Sequence, residues 1–451
     1  MAELLVAGGG LAGCEAAWQL AERGHNVMLA EMRPVRPTPA HQTADLAELV
    51  CTNSFKSEDL TNAHGLLKAE MRDLGSILLD AAREARVPAG TALAVDRTRF
   101  ARAVTDRIAA HPRITIERRE ITALPEGPAV IASGPLTSEA LTNSIQGILG
   151  DGGLAFYDSI APIIAGDSID FDVAFFASRW GKGEGDDYVN CPMSREEYEA
   201  FLAALRAADV YPGHEWENIP YFEGCLPIEV MAARGDDTLR FGPMKPVGLR
   251  DPRSERRPYA VVQLRREDQE GRMWNMVGFQ TRLRTGEQRK VFRMIPGLAN
   301  AEFLRTGSIH RNTYLNFPAA LNQYGAPHAR PDIIFAGQLT GVEGYMESAA
   351  SGILAGINLH RIASGLDAVV PPPTTMMGGL MRYLREAGPG AFQPMNSNFG
   401  LLDSMDGRIR DKDKRREALV DRARSDFAAW AADAGIELAA PRPFGWQTAD
   451  V

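Results

Sequence analysis

The stretch Leu4-Leu5-Val6-Ala7-Gly8-Gly9-Gly10-Leu11-Ala12-Gly13-Cys14, closed further on by Val27-Met28-Leu29-Ala30-Glu31, decides the fold. Leu4–Ala7 is an apolar run of strand length, Gly8–Gly10 a turn, and Ala12–Arg23 a helix with Ala16, Ala17 and Leu20 along one side. Gly24 stands where a helix C-terminal glycine belongs, and Val27–Ala30 reads as a second strand. Gly8, Gly10 and Gly13 match G-x-G-x-x-G in the context its physics requires, after a strand and at the opening of a helix. The first glycine permits the tight turn, the second lets a diphosphate approach the backbone, and the third allows helix to pack closely on strand. The anion then sits at the positive end of the helix dipole. Glu31, eighteen residues after Gly13, can accept hydrogen bonds from adenosine ribose hydroxyls. The expectation is a dinucleotide site built from Gly8, Gly9, Gly10, Leu11, Ala12, Gly13, Glu31, Met32 and Arg33.

Outward from this unit, Arg33–Asn62 is irregular, a functional or disordered loop around Cys51, and a helix is expected from about Gly65 to Ala85. Ala129–Ala132 ends in Ser133-Gly134-Pro135. The strand-glycine-helix pattern returns at Ile333–Ala336, Gly337-Gln338-Leu339-Thr340-Gly341 and the small-residue helix Ser348–His360. This second element favours FAD over a mobile nicotinamide, since FAD is long enough to need both ends of the chain; Gly134, Gly337, Gln338 and Gly341 join the expected site. Short strands at Val173–Phe176, Tyr259–Leu264 and Trp274–Phe279 lie between the two patterns. The expected fold is α/β, a doubly wound Rossmann-like FAD-binding domain of the glutathione-reductase kind with an inserted α+β domain. The division is 1–155 with 300–370 for the FAD domain, 156–299 for the insertion, and 371–451 for a helical C-terminal extension whose run Arg408–Arg416 is charged and solvated.

The chain has 451 residues, 45% hydrophobic and 24% charged, an ordinary globular composition. No apolar run is long enough to cross a bilayer and no leader precedes Leu4, so a cytoplasmic protein without a membrane partner is expected. Net charge is −9, yet Arg234–Arg293 holds fifteen Lys or Arg against eight Asp or Glu, so this segment carries +7 and the remainder −16. A locally positive region on an acidic chain suits one specific anionic partner rather than indiscriminate nucleic-acid binding. Four cysteines are too few for a disulfide scaffold. Cys51 and Cys225 both lie in turn-like backbone that can present a thiol to a ligand. Cys14 reads as packing against the sheet, and Cys191 as structural. No spacing suits zinc, and no metal site is expected.

Gly8–Trp18, Glu31–His41, Glu48–Ser54, Leu60–Met71, Val87–Arg97, Phe241–Leu249, His310–Thr313 and Gly341–Ser351 together resemble the bacterial folate- and FAD-dependent tRNA (uracil-5-)-methyltransferases. The blocks extend from residue 8 to past residue 350. Thr52 stands where serine is expected and Cys14 where serine is frequent, both small departures.

The resemblance implies transfer of a one-carbon unit from 5,10-methylenetetrahydrofolate to the T-loop uridine of tRNA. Reduced FAD is the reductant and NAD(P)H regenerates it. It implies Cys225 as the nucleophile at uracil C6 and Cys51 as the partner thiol that handles the proton or the flavin-bound methylene, an assignment that the sequence leaves reversible. Lys245 or nearby arginines would supply the positive charge a thiolate needs. His310 is the candidate for stacking on the folate pterin, with Asn312 beside it. Arginines of 234–293 would meet tRNA phosphates, and the uridine must be turned out of its loop. No obligatory protein partner is implied.

Three other readings stand beside this one. A wobble-uridine tRNA-modifying flavoprotein would need a larger helical C-terminal domain than the 80 residues after Pro371 supply. A flavin disulfide reductase would pair Cys51 with Cys225, 174 residues away. A flavin- and folate-binding protein without methyl transfer would keep the same binding motifs.

Overall fold

In the computed structural model the described residues are 3–38, 40–149, 153–183, 185–211, 226–253, 257–268, 270–387, 392, 394–405, 409 and 411–439, without the side chains of 153–160, 308–313 and 412. The opening unit forms as its pattern requires: strand β1 (Leu4–Ala7), helix α1 (Leu11–Glu22) and strand β2 (Val27–Glu31). Gly24 ends α1 with φ +88°, its N–H on the Ala21 carbonyl and that of His25 on Leu20, the paired bonds of a Schellman cap. A five-stranded parallel sheet grows from this unit in the order Ile333–Phe335, Ala129–Ile131, β1, β2, Ile114–Arg118. Its inner strands are apolar along their length because both faces are covered. Helix Tyr345–Ala363 packs across α1 so closely that a Cβ on Gly352 would fall 2.2 Å from the Ala12 carbonyl oxygen.

Strands Gly153–Ile160 and Ser308–Leu315 run antiparallel to one another and carry the chain out of this layer and back. Between them lies a six-stranded sheet in the order Phe175–Phe176, Tyr188–Met193, Ala260–Arg266, Met273–Met276, Ile163–Ala165, Phe303–Arg305, with antiparallel pairing throughout. Its own core gathers Tyr198, Phe201, Trp274, Phe279 and Phe292. The fold is therefore a doubly wound α/β unit with an α+β insertion, as the sequence suggests.

One local expectation needs correction. The helix expected over 65–85 is two helices, Ala63–Asp73 and Ile77–Glu84. Gly75 adopts φ +76° and Ser76 caps the second helix by accepting the Leu79 N–H, so two termination signals outweigh a continuous apolar period. The C-terminal segment also packs inward. Met376, Leu380, Phe427 and Ala431, on helices Met376–Glu386 and Lys412–Asp433, are buried in the same core as the parallel sheet. Of the charged run, Asp411, Asp413, Lys414 and Arg415 are exposed at the start of the second helix.

Buried Glu70 fastens that segment, accepting the Met376 and Met377 N–H groups at 2.7 and 2.8 Å at a helix N-terminus. Glu70→Ala strands two buried donors and is expected to lower stability by about 2–4 kcal/mol, with Glu70→Gln recovering part of it, measured by chemical denaturation. Glu15 is also fully buried. One oxygen takes Ser76 Oγ and the Leu78 N–H, while Oε2 has no hydrogen-bond partner among the described residues. Burial pushes its carboxyl up to about 8 from an ordinary 4.5. Because the folded-state value is the higher one, this contribution is complete below pH 4.5 and is lost as pH rises through about 8. Unfolding curves between those values should fall by a few kcal/mol in the native chain and flatten in Glu15→Gln.

Candidate functional site

The turn between β1 and α1 opens a cleft of about 1070 Å³. Gly13 is the tightest point, since a Cβ there would lie 1.7 Å from the Gly8 carbonyl oxygen, whereas the same atom on Gly10 meets nothing within 4 Å. The sequence thus closes one glycine against the turn and leaves another open to the cleft. Helix α1 has no side-chain N-cap and no acid in its first turn, so its leading N–H groups stay available to an anion. Gly8, Gly10, Leu11, Ala12, Glu31, Met32, Arg33, Gly134, Gly337 and Gln338 line the cleft. Gly9 and Gly13 sit behind its wall. Gly341 turns away from it: a Cβ there would meet the Phe392 ring at 2.4 Å.

At the end of β2, Glu31 accepts the Gly9 N–H at 2.8 Å on one oxygen and the Arg33 N–H and Nε at 3.0 and 2.9 Å on the other. Arg33 continues to Glu48 at 3.0 Å. Burial alone would raise the Glu31 carboxyl, but the Arg33 guanidinium and these hydrogen bonds outweigh it and hold the group below its ordinary value. An ionised Glu31 keeps acceptor capacity toward the cleft. The bare helix end, the open side of Gly10 and this carboxylate together fit FAD. Among the described residues no group of His, Cys, Asp and Glu could hold a metal ion.

Cys51 is not itself a lining residue, but its neighbour Val50 and its hydrogen-bond partner Tyr345 both line the cleft. The Tyr345 hydroxyl accepts the Cys51 and Thr52 N–H groups at 2.9 and 3.2 Å and lies 3.2 Å from the Cys51 sulfur. With two donors already on that oxygen, its own proton points to sulfur. Burial, then Cys51 itself, push the Tyr345 phenol well up, so it remains a donor. Arg97 holds the Leu49 carbonyl at 3.0 Å and pairs with buried Glu267. Arg265 reaches Thr52 Oγ1 at 2.7 Å and Asn53 Oδ1 at 2.8 Å. Asn53 returns hydrogen bonds to the Val95 and Arg266 carbonyls. An irregular loop is thereby fixed by side chains, and the positive charge near its thiol comes from arginines; Lys245 is exposed on a separate turn.

The other expected residues fall as follows. Cys225 lies outside the described residues, and only the backbone of His310 and Asn312 is described, in strand Ser308–Leu315. Cys14 and Cys191 are buried. Burial and then Glu31 push the Cys14 thiol far up, and burial pushes Cys191 to about 12, so neither offers a thiolate. The positive segment is less free than its charge implies. Arg240 lies over Tyr259, Arg253 pairs with Asp251, Arg272 with Asp268, and Arg265 points inward; Lys245, Arg250, Arg257, Arg289 and Lys290 are exposed. Tyr345, Arg97 and Arg265 were not anticipated. The first two stand inside the blocks Gly341–Ser351 and Val87–Arg97, but only the folded chain brings them to Cys51.

The sheet order and the glycine cleft define an FAD-binding α/β protein with a thiol held by a residue of the cleft wall. The glucose inhibited division protein A profile matches residues 3–367. A methylenetetrahydrofolate--tRNA-(uracil-5-)-methyltransferase TrmFO of Geobacter sulfurreducens is 56% identical over 95% of this chain and 98% of its own. The protein of that name from Moorella thermoacetica is 53% identical over 93% and 96%. The chain belongs to the glucose inhibited division protein A family, in its TrmFO branch. Among solved structures, Aquifex aeolicus GidA shares the fold with a TM-score of 0.68 at 16% identity, covering 95% of this chain and 73% of that one. No described helix is long and apolar enough to cross a membrane.

Replacing Glu31 with Gln removes the charge that orders Arg33 and Gly9. Purified Glu31→Gln is expected to keep its fold but carry at least about tenfold weaker flavin affinity, read from yellow absorbance after dialysis. A native chain without flavin absorbance would contradict the assignment of the cleft.

Proposed function

We propose that the chain methylates C5 of the tRNA T-loop uridine, giving ribothymidine, with 5,10-methylenetetrahydrofolate as carbon donor. The observation that carries this reading is Cys51, a thiol held at the dinucleotide cleft by Tyr345 and bordered by Arg97 and Arg265. The relatives named for folate-dependent uracil methylation match over nearly their whole length, whereas the GidA chain is covered over 73%. The full-length match to relatives of that name supports this reaction.

Uracil C5 is a poor nucleophile until a group adds at C6. A thiolate adding there forms an S–C6 bond and moves the C5=C6 pair toward C5 and the C4 carbonyl, so C5 can bond to an electrophilic methylene carbon. A base then removes the C5 proton as the methylene's bond to its carrier nitrogen breaks and tetrahydrofolate leaves; a hydride equivalent reduces the exposed methylene to methyl, and expulsion of the sulfur restores the C5=C6 bond. Cys225 is assigned the addition on sequence grounds. Cys51 is assigned the proton, because the Tyr345 hydroxyl and two arginines suit a sulfur that carries charge during the cycle. When bound, reduced FAD supplies the electrons that complete the methyl group, with NAD(P)H as their source. Gly10 and the start of α1 would hold its diphosphate, Glu31 its ribose, and Gly134, Gly337 and Gln338 the opposite side of the cleft. His310 and Asn312 are kept as the folate contacts. The unit 156–299 is assigned to RNA and 1–155 with 300–370 to the flavin, with 371–451 as the C-terminal extension. A chain acting on tRNA in this way is assigned to the cytoplasm.

The deciding experiment follows label from methylenetetrahydrofolate into a T-arm minihelix. The native chain should label uridine C5, and Cys51→Ala should keep its flavin while losing at least about 100-fold in transfer. No label from the native chain, or unchanged turnover in Cys51→Ala, would overturn the reading.

A further inference from the structure

The segment Phe241–Leu249 gives no residue to the cleft wall, yet it builds a second feature. Its Val247 carbonyl accepts Arg179 Nη1 at 2.6 Å and its Gly248 carbonyl accepts the Trp180 N–H at 2.9 Å. A Cβ on Gly248 would fall 2.8 Å from the Trp180 indole, so the ring lies directly on that glycine. Trp180 is nevertheless 68% exposed. Its φ of +62° is a left-handed conformation that a bulky residue adopts only when its surroundings impose it. The imposition is visible: the loop is closed by the Ser178 N–H on Gly185 and by the Ser178 hydroxyl on buried Asp187. A large ring backed by peptide and open to solvent is the geometry of a stacking surface.

Its position ties it to the reaction centre. Arg179 Nε donates to Gln263 Oε1 at 2.8 Å. Gln263 and Arg265 share one face of strand Ala260–Arg266, about 7 Å apart. Arg265 then reaches Thr52, the neighbour of Cys51, at 2.7 Å. Cations border the ring: Lys182 follows Trp180 by two residues, Lys245 and Arg250 flank Gly248, and all three are exposed, while Asp251 is paired with Arg253; the loop's own acids in sequence are Glu184, Asp186 and Asp187, of which Asp186 is exposed and Asp187 buried among the described residues. A planar apolar face among cations matches an unpaired nucleobase with its phosphates.

We propose that Trp180 is a stacking platform for an unpaired base of the RNA substrate, with Lys182, Lys245 and Arg250 on the adjoining phosphates. The proposal rests on the reading of the chain as acting on tRNA. The test compares the native flavoprotein, Trp180→Ala and Trp180→Phe for minihelix binding and for carbon transfer. Trp180→Ala should raise the Kd and the KM for the minihelix roughly tenfold or more, with kcat and the RNA-free rate of flavin reduction by NAD(P)H unchanged. Trp180→Phe, which keeps a stacking face, should recover most of the loss. Unchanged Kd and KM in a flavin-loaded Trp180→Ala would overturn the platform, as would a Trp180→Phe no better than Trp180→Ala. A native chain that binds the minihelix but transfers no carbon strikes the reaction alone, and the binding series still decides the platform; one that binds no RNA overturns both.

Discussion

The close approach of α1 to helix Tyr345–Ala363 is the constraint on which the rest of the molecule depends. Helices usually pack with axes 8–10 Å apart, a spacing set by the side chains between them. Here Gly352 meets the Ala12 carbonyl and Gly356 the Ala16 carbonyl, leaving no room for a single added carbon. This contact joins the helices that follow two strands of one sheet, the central strand at residue 4 and the edge strand at residue 333. It also sets Tyr345, at the start of the second helix, under the backbone of Cys51. Cofactor cleft and thiol are consequently positioned by one packing event.

The loop that carries Cys51 has little ladder to hold it, so buried charge does the holding. Glu31, Arg33 and Glu48 form one chain of ion pairs, and Arg97 with Glu267 another; Arg265 and Asn53 add a neutral-to-charged link. Such groups are costly to bury and give little net stability, but removing one member leaves its partner uncompensated. Their effect is to admit one arrangement of the loop. The arrangement sets the Tyr345 hydroxyl on the Cys51 sulfur and two guanidinium groups on the backbone and side chains around it, an order that a hydrophobic loop core could not impose.

Trp180 shows the same logic at the surface. A residue type that favours burial is held outward, against its backbone preference, by contacts made on its neighbours. Local rules broken at one point and compensated nearby are the mark of a site rather than of packing.

By itself the sequence determined the βαβ unit, because glycine spacing, strand length and the acid at residue 31 are all local and each has a single physical use. It also exposed the second glycine element and the irregular backbone around Cys51, since turn chemistry is written in neighbouring residues. Helix 65–85 was misjudged because a uniform apolar period hid a glycine and a cap. The excess of arginine in 234–293 was taken for surface because charge is countable in sequence while direction is not. Only the tertiary structure decided that Arg265 points at the Cys51 loop, that Tyr345 supplies the proton beside its sulfur, and that the segment after Pro371 packs into the main core. Those decisions join residues 50 to 300 positions apart, and no periodicity in a chain encodes which distant side chains will share a hydrogen bond.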